Sequence, residues 1–289
     1  MPTPSESRVL ACVDQSQFAD YVADYAAWAA LRLSLPLEFL HILDRHPEVA
    51  VEVDHSGAIG VDAQEKLLQS LAAEDESRSR VARETGRVFL NRLRERAVAA
   101  GVPSPDVRQR HGELAATLVE QENSVRLFVL GRRGESAATT QRDLGRNLER
   151  VVRALHQPIL TVTRDFKVPE RIMIAFDGGT LTRKGVTMLA SSPLFRGLPI
   201  HLLMSGKPRK DAPRQLEWAR ETLAKAGFEV EAHLLPGDAE TTVARKVLEL
   251  DIDMLVMGAF AHSPLRRIFF GSRTLDLLRA ASIPVLLLR

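Results

Sequence analysis

The sequence predicts an α/β protein made of two tandem domains, each a doubly wound, five-stranded parallel sheet with helices on both faces. Short apolar runs alternate with segments whose apolar residues recur at helical spacing, which is the pattern of consecutive βαβ units. The pattern also occurs twice. Residues 8–14 (RVLACVD) match residues 171–177 (RIMIAFD), and residues 148–162 match residues 275–288. An internal duplication of this length indicates a tandem repeat.

The first half contains five predicted strands, and three of the four connections between them are helices of ordinary length. Residues 44–64 have no counterpart in the second half and show no sustained period, so we expect an inserted loop that leads into a long helix at 65–99. The predicted strands lie at 9–13, 37–43, 107–109, 125–130 and 159–163, and the other helices lie at 20–33, 114–121 and 147–156.

The second half repeats this order without the insertion. A charged stretch that ends at Pro169 is the predicted linker, so the two domains are expected at 1–164 and 165–289. The predicted strands lie at 172–176, 199–204, 229–234, 254–257 and 283–288, and the helices lie at 182–191, 213–226 and 241–250. A last helix is expected after Gly271, with Ser272 or Thr274 at its start.

Length and composition narrow the class of protein. The chain has 289 residues, enough for two domains with separate cores, and is 45% hydrophobic and 26% charged. A net charge of +2 and an aromatic content of 5% give no reason to expect nucleic-acid binding. Cys12 is the single cysteine, so no disulfide framework is expected. No signal peptide and no membrane-length apolar run is evident, and we expect a cytoplasmic protein.

Ligands of doubly wound sheets bind beyond the carboxyl ends of the strands, at the point where the strand order reverses. Asp14 and Asp177 each follow the first strand of a half, and Gly131 and Gly258 each follow a fourth strand. A loop of small residues that precedes a helix can hold phosphate with its free backbone N–H groups. Glycine also occurs in such loops for conformational reasons alone.

The spacing of small residues after the fourth strand of the second half resembles a known sequence motif. Gly258 is followed after two residues by Ala261, and nine residues later by Gly271 and Ser272. This resembles the universal stress protein family in its tandem form, whose nucleotide-binding members have an Asp after the first strand and then Gly, two residues, Gly, nine residues, and Gly-Ser or Gly-Thr. Three of the four marked positions agree. Alanine at a position that needs positive φ costs only about 1–2 kcal/mol, so Ala261 is expected to weaken such a site without abolishing it.

The first half departs from this motif. Gly131 and Gly134 have the correct spacing, but ten residues separate Gly134 from Gly145, and Arg146 and Asn147 replace the hydroxyl residue. An extra residue displaces the following amides by up to about 3.3 Å, which is longer than a hydrogen bond. We therefore expect nucleotide binding mainly in the second half.

The resemblance implies an adenine nucleotide, ATP or AMP, as ligand, with Mg²⁺ present only through the nucleotide. Asp177 and Met204 would border the adenine and ribose. The expected ribose and phosphate contacts of the second half are Gly258, Ala261, Gly271, Ser272, Arg273 and Thr274. A possible degenerate site of the first half would consist of Asp14, Ile42, Gly131, Gly134, Gly145 and Asn147. The family fold would order each sheet 3-2-1-4-5.

The sequence gives weaker support for a metal site or for a catalytic centre. His41, Asp44 and His46 lack helix-spaced ligand pairs, and no metal site is assigned to them. The loop arginines, Arg132 among them, either pair with phosphates or face solvent. No Gly-Lys-Ser/Thr loop and no Gly-x-Ser-x-Gly elbow occurs. Three functions remain open, namely a nucleotide-binding stress regulator, a degenerate interaction module, and a weak ATPase.

The family's strand order also makes a prediction about assembly. The strands at 159–163 and 285–288 would be sheet edges, and unpaired apolar edges are a liability. We therefore expect them to lie against each other, which relates the halves by a pseudo-twofold axis. Association of whole chains into a homodimer is a further expectation.

Overall fold

A computed structural model of the 289-residue chain describes residues 7–43, 61–132, 146–162, 166–206, 209–258, 278 and 281–289. The residues outside these ranges include 44–60, where the sequence predicts an inserted loop, and 163–165, where it predicts the boundary between the domains. That boundary therefore stays a prediction. Residues 61–68 are described only as backbone within a helix.

Strands and helices alternate through the first half, close to the predicted positions. The long helix begins four residues earlier than predicted, and the third strand is three residues longer. The elements are β1 (Arg8–Val13), α1 (Ala19–Leu33), β2 (Leu37–Leu43), α2 (Val61–Ala99), β3 (Asp106–His111), α3 (Leu114–Gln121), β4 (Val125–Gly131), α4 (Arg146–Ala154) and β5 (Ile159–Val162).

The second half repeats this order. The predicted helix after Gly271 is described only at Leu278, which is helical. The elements are β6 (Ile172–Ala175), α5 (Thr180–Ser191), β7 (Ile200–Gly206), α6 (Ala212–Lys225), β8 (Val230–Pro236), α7 (Ala239–Glu249), β9 (Met254–Gly258) and β10 (Val285–Leu288).

A glycine followed by an acidic residue occurs at matching positions of the two halves, as Gly112-Glu113 and Gly237-Asp238, and both pairs have a local structural role. Gly112 and Gly237 adopt positive φ angles of 150° and 118°, which turn the chain from a strand into a helix. The next residue then caps that helix. The Glu113 carboxylate accepts hydrogen bonds from two amides at the start of α3, and the Asp238 carboxylate accepts one from the Thr241 amide at 3.2 Å.

The ten strands form one continuous sheet in the order β3-β2-β1-β4-β5-β10-β9-β6-β7-β8. Each half has the predicted order 3-2-1-4-5, and pairing within each half is parallel. The two five-stranded sheets join where β5 and β10 pair antiparallel. From either edge of the sheet inwards, the strands of that half follow in the same order, 3-2-1-4-5. The two halves are therefore related by a pseudo-twofold axis.

The prediction that the two terminal strands lie against each other is confirmed. Thr161 pairs with Val285, and the Thr161 hydroxyl donates to the Val285 carbonyl at 3.2 Å. Helix packing extends the junction, because the Trp28 ring of α1 lies 6.4 Å from the ring of Phe195 in the second half. A sheet edge that would otherwise be exposed is thus buried inside the chain.

Helices cover both faces of the sheet and enclose a core on each. One face packs against α1, α2, α5 and α6, and the other packs against α3, α4, α7 and Leu278. Because strands buried on both faces need apolar side chains in both directions, β10 is a continuous apolar run, and so are residues 9–13 of β1, 127–130 of β4 and 254–257 of β9. The carboxyl ends of the strands remain as the edge on which loops can form a site.

Candidate functional site

Strand order reverses twice in the sheet, once between β1 and β4 and once between β6 and β9. At the second reversal, Ala175 of β6 is paired with Met257 of β9, so Phe176 and Gly258 follow them side by side. Asp177 is the next residue. The structure therefore brings Asp177 and Gly258 together at the carboxyl edge where doubly wound folds bind their ligands.

The Asp177 side chain is exposed, and its carboxylate organises the start of α5. Oδ1 accepts hydrogen bonds from the Gly179 amide at 2.8 Å and from the Thr182 hydroxyl at 2.6 Å. Gly178 between them has a φ of 76°, which a side chain would strain. The sequence prediction placed Asp177 correctly at the strand end but did not identify these hydrogen bonds.

Two polar side chains that the sequence analysis did not single out lie beside Asp177. The Arg209 guanidinium donates to the Asp177 carbonyl at 2.7 Å. Gln215 of α6 packs against Gly178, and its Oε1 atom is buried without a hydrogen-bond partner among the described residues. Both follow β7, so only the adjacency of β6 and β7 brings them to the site. No local signal in the sequence marks them.

Gly258 closes the other side of this edge. A Cβ atom built on Gly258 would lie 3.1 Å from Thr182 Cγ2 and 3.3 Å from Leu181 Cδ2, so the backbone approaches α5 closely. Met204 of β7 is 3% exposed, and its side chain belongs to the core below the site. Met204 can therefore form the floor of a ligand site but offers little free surface.

Several predicted site residues lie outside the described part of the chain. For Asn147, only the backbone is described, as the second residue of α4. The residues without description are Ala261, Gly271, Ser272, Arg273 and Thr274 of the second half and Gly134 and Gly145 of the first half.

The first half has the corresponding edge with different side chains. Asp14 Oδ1 accepts a hydrogen bond from the Ser16 amide at 3.2 Å, and Gly131 ends the neighbouring strand β4. Val13, the residue before Asp14, pairs with His41. Strand register thus makes His41 the counterpart of Met204, whereas Ile42 is half-buried and packs on the opposite face of the sheet.

His41 is a buried core residue. Its ring is 5% exposed, Nδ1 lies 2.9 Å from the Val13 carbonyl, and the Phe89 ring of α2 packs edge-on against it. The predicted strand position of His41 is confirmed. Asp44 and His46, which were considered with it as metal ligands, lie outside the described residues.

Arg132 follows β4 and contacts the second half. Its guanidinium donates to the Leu278 carbonyl at 2.7 Å and also to the Ala281 carbonyl. Cationic donors stabilise the carbonyls at the end of a helix. The sequence analysis considered phosphate or solvent as the partner of this arginine, and the structure instead shows a contact between the halves.

The helices of the described ranges include none that is both long and apolar enough to cross a membrane. The longest helix, α2, carries exposed polar and charged side chains along most of its described length.

Comparison with known proteins identifies the family. The model of the universal stress protein family matches residues 7–163 and again 201–289. A universal stress protein of a Synechocystis species is 35% identical over 284 residues, which cover 97% of this chain and 99% of that protein. A solved universal stress protein of Archaeoglobus fulgidus is 15% identical with a TM-score of 0.68, and covers 99% of this chain and 97% of its own.

A second solved structure has the same fold. It is described as a putative universal stress protein of Pseudomonas aeruginosa, is 18% identical, and has a TM-score of 0.63 over 98% of this chain and 93% of its own. The two matches of the family model and the near-complete coverage by the Synechocystis relative agree with the duplicated sheet. The chain therefore belongs to the universal stress protein family, in the form with two such domains in tandem.

Proposed function

We propose that this universal stress protein binds an adenine nucleotide, ATP or AMP, in its second half and acts as a regulator without efficient turnover. The proposal is carried by one observation, which is that Asp177 and Gly258 lie together at the reversal point between β6 and β9. Gly258 also begins the spacing Gly258, Ala261, Gly271, Ser272 that resembles the nucleotide-binding motif of the family.

In this proposal the base lies near Asp177, above Met204. The phosphates lie along the loop after Gly258, where Ser272, Arg273 and the amides after Gly271 accept them. Free N–H groups at a helix start favour anions, and each hydrogen bond to a charged group contributes about 1.5–3 kcal/mol. Mg²⁺ would enter only with the nucleotide.

The proposal includes no efficient turnover, because the sequence shows no evident general base or metal-holding carboxylate pair beyond Asp14 and Asp177. Asp177 Oδ1 accepts two hydrogen bonds within its own turn, and Asp14 Oδ1 accepts one from the Ser16 amide. These aspartates act in the proposal as structural groups that shape the site.

Calorimetric titration with ATP tests the proposal. Gly271→Val, which blocks the backbone approach in the second half, should weaken binding by more than about tenfold, or about 1.4 kcal/mol. Gly145→Val is the matched change in the first half and should alter binding little. The absorbance ratio of the purified wild type, and chromatography after denaturation, report any nucleotide that copurifies.

Two results would contradict the proposal. Two equivalent sites in the wild type, or undiminished binding by Gly271→Val, would show that the first half also binds or binds instead. No heat together with no copurified nucleotide would favour the interaction module, in which both loops are degenerate.

A further inference from the structure

Three metal-ligating side chains meet on the outermost pair of strands in the second half. His201 lies on β7 and pairs in register with Glu231 on the edge strand β8. Glu231 and His233 are two residues apart, so strand alternation directs both to the same face. One ligand atom from each of the three residues lies within 4.8 Å of the other two.

The separations between the ligand atoms are nearly equal. His201 Nδ1 lies 3.4 Å from His233 Nε2 and 3.3 Å from a Glu231 carboxylate oxygen. His233 Nε2 lies 3.6 Å from the other Glu231 oxygen. The two imidazole rings are nearly parallel, with an interplanar angle of 20°, and the 3.4 Å separation of their nitrogens places both on the same side of the cluster.

The two separations from His201 Nδ1 match tetrahedral coordination. Ligand atoms held about 2.0–2.1 Å from a tetrahedral Zn²⁺ are about 3.3 Å apart, whereas cis ligands of an octahedral ion at about 2.1 Å are about 3.0 Å apart. The His201–His233 and His201–Glu231 separations are at or slightly above the tetrahedral value, whereas the His233–Glu231 separation is to the second carboxylate oxygen. Two histidines and a glutamate are also a ligand set that zinc uses in proteins.

Burial leaves the site open on one side. The side chains of His201 and His233 are 12% and 16% exposed, whereas that of Glu231 is 63% exposed. Solvent can therefore reach the cluster past the carboxylate. A zinc site with three protein ligands has water in the fourth position, and this opening provides room for it.

The charged residues around His201 are compatible with a cation bound at the cluster. Glu229 and Arg171 both act electrostatically on His201, with opposite signs. The Arg171 guanidinium is directed elsewhere, because it donates to the Leu250 carbonyl at 3.0 Å and lies 3.6 Å from an Asp251 oxygen. With Glu229 offsetting Arg171, the Glu231 carboxylate leaves the cluster with a net negative charge when both histidines are neutral.

We propose that His201, Glu231 and His233 bind a zinc ion, with water as the fourth ligand. His201 lies near the amino end of β7, where it pairs with Met173 of β6. Asp177 comes four residues after Met173, so the two sites are separated by about 13 Å along the strands. The metal site is thus separate from the proposed nucleotide site. A bound ion would join the edge strand β8 to β7 and restrain an otherwise open sheet edge.

The alternative occupant is a proton. One neutral histidine could donate an N–H to the other at 3.4 Å while Glu231 accepts from a protonated ring. The two arrangements differ in a measurable way, because only the metal site needs all three side chains to bind a divalent ion. The sequence analysis assigned no metal ligand here, since only the β7–β8 register brings His201 to the Glu-x-His pair.

Titration of the full-length, chelator-treated protein with Zn²⁺ alone is the test. The wild type should bind one ion, and Glu231→Gln and His233→Gln should each weaken binding by more than about 100-fold, beyond the 10–100-fold typical of outer-shell partners. His156→Gln is the matched control, because His156 also pairs with a carboxylate, that of Glu122 at 3.3 Å, and lies in the other half of the chain. The control should bind zinc as the wild type does.

Two further measurements identify the geometry and the structural effect. Co²⁺ in place of Zn²⁺ should give the intense visible absorption of a four-coordinate ion, and Zn²⁺ should slow amide exchange in β8 of the wild type but not of Glu231→Gln. Absence of zinc heat in the wild type would overturn the proposal in favour of the hydrogen-bonded pair. Equal binding by the wild type, both ligand variants and His156→Gln would overturn it in favour of ions at other surface groups.

Discussion

Asp253 fastens the segment between the two halves to the start of β9, and its removal should destabilise the protein. The side chain is 5% exposed. Oδ2 accepts hydrogen bonds from the Glu170 and Arg171 amides, both at 3.0 Å, and Oδ1 contacts Lys167 Nζ at 2.5 Å. The Asp253 amide in turn donates to the Arg171 carbonyl. One carboxylate thus fixes the approach to β6.

The magnitude follows from the two amide bonds. A hydrogen bond to a charged group contributes about 1.5–3 kcal/mol, so two contribute about 3–6 kcal/mol. Glu170 is exposed and water can replace part of its bond, so we expect Asp253→Ala to reduce the free energy of unfolding by about 3 kcal/mol. Asp253→Asn retains one oxygen for the amides and should be less destabilising than Ala.

The effect should depend on pH. Burial alone raises the pKa of Asp253, but the hydrogen bonds from Lys167 and from the Glu170 and Arg171 amides outweigh it and hold that pKa below its usual range. A depressed pKa contributes stability that is complete above the unfolded pKa of about 3.9 and is lost as pH falls through the folded value. The difference between wild type and Asp253→Ala should therefore narrow below about pH 4.

Urea denaturation followed by circular dichroism, at neutral and at acidic pH, measures both effects. Glu217→Ala is the control, because Glu217 forms an exposed ion pair with Arg220 on α6 and should leave the midpoint nearly unchanged. An Asp253→Ala midpoint equal to that of the control would refute the reasoning. A stability difference that stays constant into the acidic range would refute the electrostatic part of it.

Three further changes have defined outcomes. Asp177→Ala should lower the free energy of unfolding by about 1 kcal/mol through loss of the hydrogen bonds to the Gly179 amide and the Thr182 hydroxyl, and Asp177→Asn, which retains the acceptor, should restore most of it in denaturation assays. A Cβ on Gly185 would overlap Leu288 Cδ1 of β10, so Gly185→Val should destabilise by roughly 1–3 kcal/mol and lower the melting temperature. Burial raises the pKa of the Cys12 thiol, so a thiol reagent should label Cys12 only after denaturation, and rapid labelling of the native protein would contradict its burial.

The alternation of strands and helices was determined by the sequence itself. Apolar runs, helical spacing and the glycine-acid pairs at Gly112 and Gly237 act over a few neighbouring residues, so their effect can be predicted without a structure. The duplication then implied that one half would repeat the other. For the same reason Asp14 and Asp177 were correctly placed at strand ends, since strand ends are marked locally.

Contacts between distant segments were decided only by the tertiary structure. Strand register depends on which faces pack together, and a shift of one residue turns every side chain to the other face. That register brings His201 to Glu231, whereas the antiparallel β5–β10 junction brings the two halves together. Arg132 reaches the Leu278 carbonyl for the same reason. These partners lie 30 to 146 residues apart in the sequence, beyond the range of any local pattern.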